Sequence, residues 1–187
     1  VGEPVVLTTP RLLLTTPVTS DVDAICRECQ DPLIQRYTTV PSPYTREDAE
    51  SYVANVADWW SSGSECVWAI RPRHEPDGLI GMVGLHHLTG TAAELGYWVA
   101  VSGRGNGYVT EAAHAVLDFA FGPMRLKRIE WHAAVGNIAS ASVAQKLGFS
   151  LEGVRRRAFQ TNSGEGVDGW IAGLLATDSR GPVEWGI

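Results

Sequence analysis

Apolar and polar residues alternate, or apolar residues run on, in several short stretches of this chain. The pattern predicts strands at Val5–Leu7 with Arg11–Thr15, Val67–Arg71, Leu79–Leu88, Glu94–Val101, Arg128–Val135, Phe149–Phe159 and Trp170–Ala176. Gly81 and Gly84 interrupt the third stretch, where a glycine signals a bulge or a close backbone approach. Between these stretches the period lengthens to that of a helix. Ser20-x-x-Asp23 and Thr45-x-x-Asp48 have the spacing of capping boxes. After the second, Ala49, Tyr52, Val53, Val56 and Trp60 recur at helical spacing until Ser61-Ser62-Gly63. A third helix is expected over Asn106–Phe121, with Val109, Ala113, Val116, Leu117 and Ala120 as its apolar stripe and Gly122-Pro123 as its stop. A fourth is expected over Asn137–Leu147, capped by Asn137 and closed by Gly148.

The resulting order is strand, two helices, three strands, helix, strand, helix, two strands. Parallel neighbours need a crossover connection, and the helix at 106–121 supplies one. The strands at 94–101 and 128–135 are therefore expected as a central parallel pair in a mixed, mostly antiparallel sheet. The expectation is a single α/β domain over residues 1–187, with about seven strands and about four helices. Arg73–Gly78 and Asn162–Gly166 read as exposed turns or loops.

Composition changes this picture little. The chain has 187 residues, 44% hydrophobic and 19% charged, as an ordinary globular protein has. A net charge of -6 argues against DNA or RNA as the main partner, because polyanion binding is driven by Lys and Arg. Cys26, Cys29 and Cys66 are too few and too odd in number for a full disulfide framework. Cys26-x-x-Cys29 shares a helical face with Val22 and Ile25, so two buried thiols are the plain reading, and no second Cys/His pair completes a zinc site. With no charged-then-apolar leader and no apolar run of membrane-spanning length, a cytoplasmic protein with no membrane partner is expected.

The chemistry concentrates in Glu94-Leu-Gly-Tyr-Trp-Val-Ala-Val-Ser-Gly-Arg-Gly-Asn-Gly-Tyr-Val-Thr-Glu111, where a strand feeds a glycine-rich turn that opens into a helix. Gly103, Gly105 and Gly107 let the backbone turn tightly and let a ligand approach. The unpaired N–H groups of the first helical turn, Asn106 to Thr110, then converge with the positive end of the helix dipole, an arrangement that suits pyrophosphate. Arg104 adds charge and Thr110 a hydroxyl. By itself such a turn is equally well a bare left-handed connection. The P-loop sequence G-K-[ST] and the dinucleotide spacing G-x-G-x-x-G are both absent.

Arg104-Gly-Asn-Gly-Tyr-Val109 resembles the R/Q-x-x-G-x-G/A signature of the GNAT N-acetyltransferase superfamily. Gly96-Tyr-Trp-Val, Gly105-x-Gly-Tyr-x-Thr-Glu-Ala112 and Asn137-x-x-Ser140-x-x-Val143-x-x-Lys146-x-Gly148-Phe149 are similar to its RimJ/RimL-like branch. So are the opening Leu7-Thr-Thr-Pro-Arg-Leu-Leu-Leu14 and the closing Asp168-x-Trp-x-Ala-x-Leu-Leu175. Val109 departs from the pattern, standing where the family prefers Gly or Ala.

The resemblance implies transfer of an acetyl or related acyl group from acyl-CoA to an amine. Val99 and Val101 would pair with the pantetheine arm. Arg104, Gly105, Asn106, Gly107, Tyr108, Val109 and Thr110 would hold the pyrophosphate. Asn137 and Ser140 would lie beside the thioester, and Lys146 would reach the nucleotide phosphate. Asn137 as a plain helix cap and Lys146 as a solvated lysine are the alternatives. The Val99 N–H would stabilise the oxyanion, and Ser140 would serve as the acid. Other superfamily members place a Tyr acid seven residues after the asparagine, where this chain has Ala144.

Glu94 is the candidate base, with a paired carboxylate at a sheet end as its alternative. His86, His87 and His132 titrate in the useful range but read singly as structural histidines. Tyr37, Glu130 and Asp168 are further candidates. The acceptor, a protein N-terminus, a polyamine or an amine-bearing small molecule, would be chosen by loops at Tyr37–Tyr44 and Gln160–Glu165. Relatives of this branch often dimerise through sheet edges, which leaves a homodimer open. Val109 and Ala144 are the features that would favour the other reading, a non-catalytic acyl-CoA-binding module.

Overall fold

A computed structural model describes residues 2–160 and 164–187. Eight strands form one sheet: β1 (Leu7–Thr8), β2 (Leu12–Thr15), β3 (Cys66–Pro72), β4 (Gly81–Thr89), β5 (Ala92–Val99), β6 (Arg128–Ala134), β7 (Ser150–Gln160) and β8 (Gly166–Leu175). Five α-helices accompany them among the described residues: α1 (Val22–Glu28), α2 (Pro32–Tyr37), α3 (Arg46–Ser62), α4 (Tyr108–Phe121) and α5 (Ile138–Lys146). The strand order is β1-β2-β3-β4-β5-β6-β8-β7. Every neighbouring pair is antiparallel except β5 and β6, the parallel pair that the crossover helix required. The expected α/β class and central parallel pair are observed, with one strand and one helix more than the sequence pattern suggested.

The additional helix is α2. Its six residues are too few for a periodic stripe, but Asp31 accepts hydrogen bonds from the Leu33 and Ile34 amides and Pro32 opens the first turn. The Thr45 box forms as expected, with Asp48 reaching back to the Thr45 amide. The Ser20 box does not. The chain enters α1 through a 3-10 turn at Thr19–Asp21, and the buried Asp21 accepts from the Val18 amide. Asp23 instead lies exposed and pairs with Arg46 on α3.

Strand alternation sends residues to two cores. One face carries Leu14, Trp68, Ile70, Leu85, Leu95, Ile129 and Trp131, packed with Ala113, Val116 and Leu117 of α4 and with α5. The other face carries Ala69, Met82 and Trp98 beneath α1, α2 and α3. Cys29 and Cys66 are buried free thiols, each pushed up to about 12 mainly by burial, and Cys26 is half-buried. Trp60 and Trp68 are fully buried in the core.

At Gly81 the backbone of β5 lies close against β4. A Cβ there would stand 2.5 Å from the Trp98 carbonyl oxygen, so no side chain fits. Arg71 and Asp21 form a buried ion pair at 2.6 Å, and Arg71 Nε also donates to Thr15 Oγ1. Removing one partner of such a pair strands the other charge away from water. The expected consequence for Asp21→Ala is a loss of about 3–5 kcal/mol in chemical denaturation.

Candidate functional site

β5 is paired with β4 from Glu94 to Val99 and again at Ala92, but with β6 at three positions: Ala92 with Arg128, Ala93 with Ile129 and Glu94 with Glu130. Beyond Glu94 the two strands part. The Ala100 N–H donates to the Ile80 carbonyl on the β4 side, so by alternation the backbone groups of Val99 and Tyr97 face the opposite edge. The half of β5 from Leu95 to Val99 thus presents polar backbone to a gap in the middle of the sheet. The expected strand end at Val101 is corrected. β5 stops at Val99, and Val101 lies exposed in a 3-10 turn, its carbonyl accepting from the Arg104 amide.

The chain then turns through two left-handed glycines, Gly105 at φ 75° and Gly107 at φ 73°. Gly107 caps α4 but has no side chain to satisfy the first amides. The first intrahelical bond runs from Glu111 N–H to the Gly107 carbonyl, which leaves the amides of Tyr108, Val109 and Thr110 without intrahelical acceptors. This terminus therefore carries partial positive charge on three convergent donors.

Side chains around the turn are arranged in a way that the sequence did not disclose. Arg104 is paired with Asp31 at the start of α2 at 2.8 Å and donates to the Val99 carbonyl at 3.4 Å, so its charge is balanced within the protein. The Arg104 guanidinium holds the Asp31 carboxyl below the usual carboxylate range. A different arginine, Arg11 from the start of β2, lies over the Tyr108 ring, donates to the Asn106 carbonyl and comes within 3.7 Å of a Cβ placed on Gly107. Arg11 is tied to Glu111 of α4 at 2.6 Å, and Thr9 donates to the same carboxylate. Burial raises Glu111, but these donors outweigh it and hold the group below its ordinary range. Val109 points into the protein at 8% exposure. Gly107, Thr110, Glu111, His114, Asp118 and Lys146 share a hollow of about 550 Å³, so Lys146 and the turn do open on one space.

Across the gap, Asn137 caps α5 by accepting from the Ser140 amide at 3.3 Å. Ser140 sits in a three-membered network. Its Oγ lies 2.9 Å from the Tyr97 hydroxyl, and Trp131 Nε1 donates to Ser140 Oγ at 3.1 Å and to Tyr97 Oη at 3.0 Å. Tyr97 Oη also donates to the Ser140 carbonyl. Burial pushes the Tyr97 phenol up to about 12, so it stays protonated. Tyr97 has a single proton, so when it goes to the Ser140 carbonyl the Ser140 hydroxyl donates to Tyr97 Oη. Ala144 is fully buried in the core.

On the opposite face, Glu94 and His132 line a smaller cavity of about 250 Å³ together with Thr39, Arg155, Phe159, Gln160 and Trp170. Glu94 Oε2 is 3.3 Å from His132 Nδ1, and Glu130 Oε2 is 3.5 Å from Nε2 of the same ring. His86 lies over the bare backbone of Gly84 and Gly96, with Nδ1 at 2.7 Å from Glu65. A left-handed His87 breaks the β4 alternation there. The structure thus brings Glu94, Glu130 and His132 together and keeps Asp168 apart, where it accepts from the Arg157 amide. Arg155, Arg156 and Arg157 are exposed on β7, and Arg155 borders the cavity. Of the expected acceptor loops, the first contributes Thr39 and the second contributes Gln160; the positions 161–163 lie outside the described residues.

A central parallel pair thus separates beside a helix start with no side-chain cap. Residues 11–150 match the model of the acetyltransferase (GNAT) domain, and the chain belongs to that family of N-acetyltransferases. YdaF of Bacillus subtilis (strain 168) is 38% identical over 86 residues, an alignment that spans 45% of this chain and 47% of that protein, about half the length of each. The uncharacterized N-acetyltransferase p20 of Bacillus licheniformis is 27% identical over 94% of this chain and 98% of its own. A RimL ribosomal L7/L12 α-N-protein acetyltransferase, solved in complex with coenzyme A, superposes with a TM-score of 0.82 at 22% identity, covering 91% of this chain and 98% of that one. These similarities agree with the resemblance to the RimJ/RimL-like branch.

Tyr97→Phe removes one acceptor from Trp131 and the donor to the Ser140 carbonyl. A loss of about 1–2 kcal/mol in urea denaturation is expected. An unchanged midpoint would show that the network contributes nothing to stability.

Proposed function

We propose that this protein transfers an acetyl group from acetyl-CoA to a primary amine by direct attack of the amine on the thioester. The observation that carries the reading is the open edge of β5 running into the uncapped start of α4. Extended backbone needs hydrogen-bond partners, and a pantetheine arm carries amides that can supply them. Its pyrophosphate then meets the free amides of Tyr108, Val109 and Thr110, with Gly105 and Gly107 allowing close approach. Lys146 and Thr110 face the same hollow and serve the nucleotide phosphate. Arg104 fixes the turn through Asp31, and Arg11 is the cation nearest Gly107.

In this arrangement the Val99 N–H, aimed at the gap, receives the oxyanion that forms as the amine attacks. Ser140, beside the gap, turns its hydroxyl from Tyr97 to hydrogen-bond the departing thiolate. The thiolate's conjugate acid, near pKa 8.5 by analogy with a cysteine thiol, makes modest demands on that donor. Glu94 stands at the last paired position before the strands part, and it receives the proton of the incoming ammonium.

The acceptor enters from the face of Glu94 and His132. A cavity of about 250 Å³ with an aromatic wall of Phe159 and Trp170 suits the terminal residue of an acceptor rather than a large rigid ligand. A protein N-terminal α-amine fits that shape and agrees with the substrate named for RimL. A polyamine or an amine-bearing small molecule would use the same entry.

Thiol release from acetyl-CoA against N-terminal peptides, polyamines and aminated small molecules tests the reading. Accelerated release with one amine class is expected. Glu94→Gln should lower kcat/KM by about 10²-fold or more, as loss of a general base does, with acetyl-CoA affinity kept. Tight acetyl-CoA binding with no acceptor-dependent release would overturn the transferase reading in favour of a binding module.

A further inference from the structure

Glu94 alone is an awkward resting place for an amine proton. Burial raises it, but the His132 ring beside it more than compensates, and the carboxyl lies below its ordinary range. A base so weak returns the proton readily. His132 is altered in the opposite sense. Contact with Glu94 raises it most, burial opposes this, and the charges of Glu94 and Glu130 add to the rise. The ring is clasped between the two carboxylates, 3.3 Å from Glu94 at Nδ1 and 3.5 Å from Glu130 at Nε2. Nε2 is buried and has no hydrogen-bond partner among the described residues, so an acceptor amine has no direct access to it.

Resting on the assignment of Glu94 as the group that meets the ammonium, we propose that His132 is the positioning residue that stores the acceptor's proton. For Nδ1 to accept that proton, the resting imidazole must carry its own on Nε2, 3.5 Å from Glu130. As the amine attacks, its N–H bond breaks and the electron pair stays on nitrogen. The proton crosses the Glu94 carboxylate to Nδ1 of His132, where the new N–H bond forms. Glu94 ends as it began, and the imidazolium lies between two anions. The arrangement is anchored outward: Arg128 donates to Glu130 at 2.9 Å and to Glu152 at 2.6 Å, which carries the charged series from β5 across β6 to the surface of β7. Among the charges facing the ring, Arg155 from β7 lowers it, while Glu94 from β5 and Glu130 from β6 raise it. Glu152 from β7 lies in reach of the same ring, and His86 and His87 from β4 act on Glu94.

His132 must be neutral to accept a proton, so turnover rises with pH through a midpoint above 6.5, the ordinary histidine value. The experiment is kcat/KM against pH for wild type and His132→Asn with one acceptor from the amine panel, together with NMR titration of the His132 ring in wild type and Glu94→Gln. The expected results are loss of that limb and on the order of a 10²-fold fall in kcat in His132→Asn, with acetyl-CoA binding unchanged. The ring midpoint should lie above 6.5 in wild type and drop in Glu94→Gln. Wild-type transfer with an identical limb and kcat in His132→Asn would overturn the inference alone. A ring midpoint unmoved by Glu94→Gln would do the same, even if the Asn variant failed to fold. A wild type that transfers to no amine would overturn the acyltransfer reading and this inference with it.

Discussion

The organising constraint is the parting of β5 from β6 after three paired positions. A sheet interior normally satisfies both edges of every strand, and leaving one edge of Leu95–Val99 open in the middle of eight strands is costly unless a ligand or water completes it. The rest of the structure maintains that opening. The crossover helix α4 starts after the glycine turn that follows β5, α5 begins just after β6, and Tyr97, Ser140 and Trp131 tie the two sides together at hydrogen-bond distance. One device therefore both holds the gap at a fixed width and places a hydroxyl beside it.

The same parting creates two chemically different faces. On one, the β5 edge leads to a helix terminus rich in unpaired amides, which suits an anion. On the other, Glu94, Glu130 and His132 concentrate carboxylates around a ring, which suits a cation losing a proton. A negatively charged donor and a positively charged acceptor can thus approach one strand from opposite sides without competing for the same groups. The net charge of -6 fits an amine acceptor, but the local placement of carboxylates carries that argument and the total does not.

Much of this was legible before any coordinates. The helix boundaries at Thr45, Gly63 and Gly122 follow from cap chemistry that acts locally, and the parallel pair follows from the length of one crossover. Local rules failed where a tertiary contact chose between alternatives. Asp21 rather than Ser20 organises the entry to α1 because Arg71 draws it inward, and α2 is too short to show a period. Arg104, read as a phosphate ligand from its place among glycines, is also paired with Asp31, 73 positions earlier, a contact that local sequence does not encode. Arg11 stood in the sequence only within the opening motif and with no role, since its place beside Gly107 depends on how β2 meets α4. Glu94, Glu130 and His132 were each visible as isolated candidates. Their grouping follows from the register of the parallel pair, a long-range quantity that a pattern of residues does not encode.

Amide hydrogen exchange with and without acetyl-CoA tests the central claim most directly. Slowed exchange at Tyr97 and Val99 and at Tyr108 to Thr110, with the α1–α3 face unaffected, is the result that this account predicts. Binding of acetyl-CoA that left those amides unprotected, or protected a different surface, would contradict it.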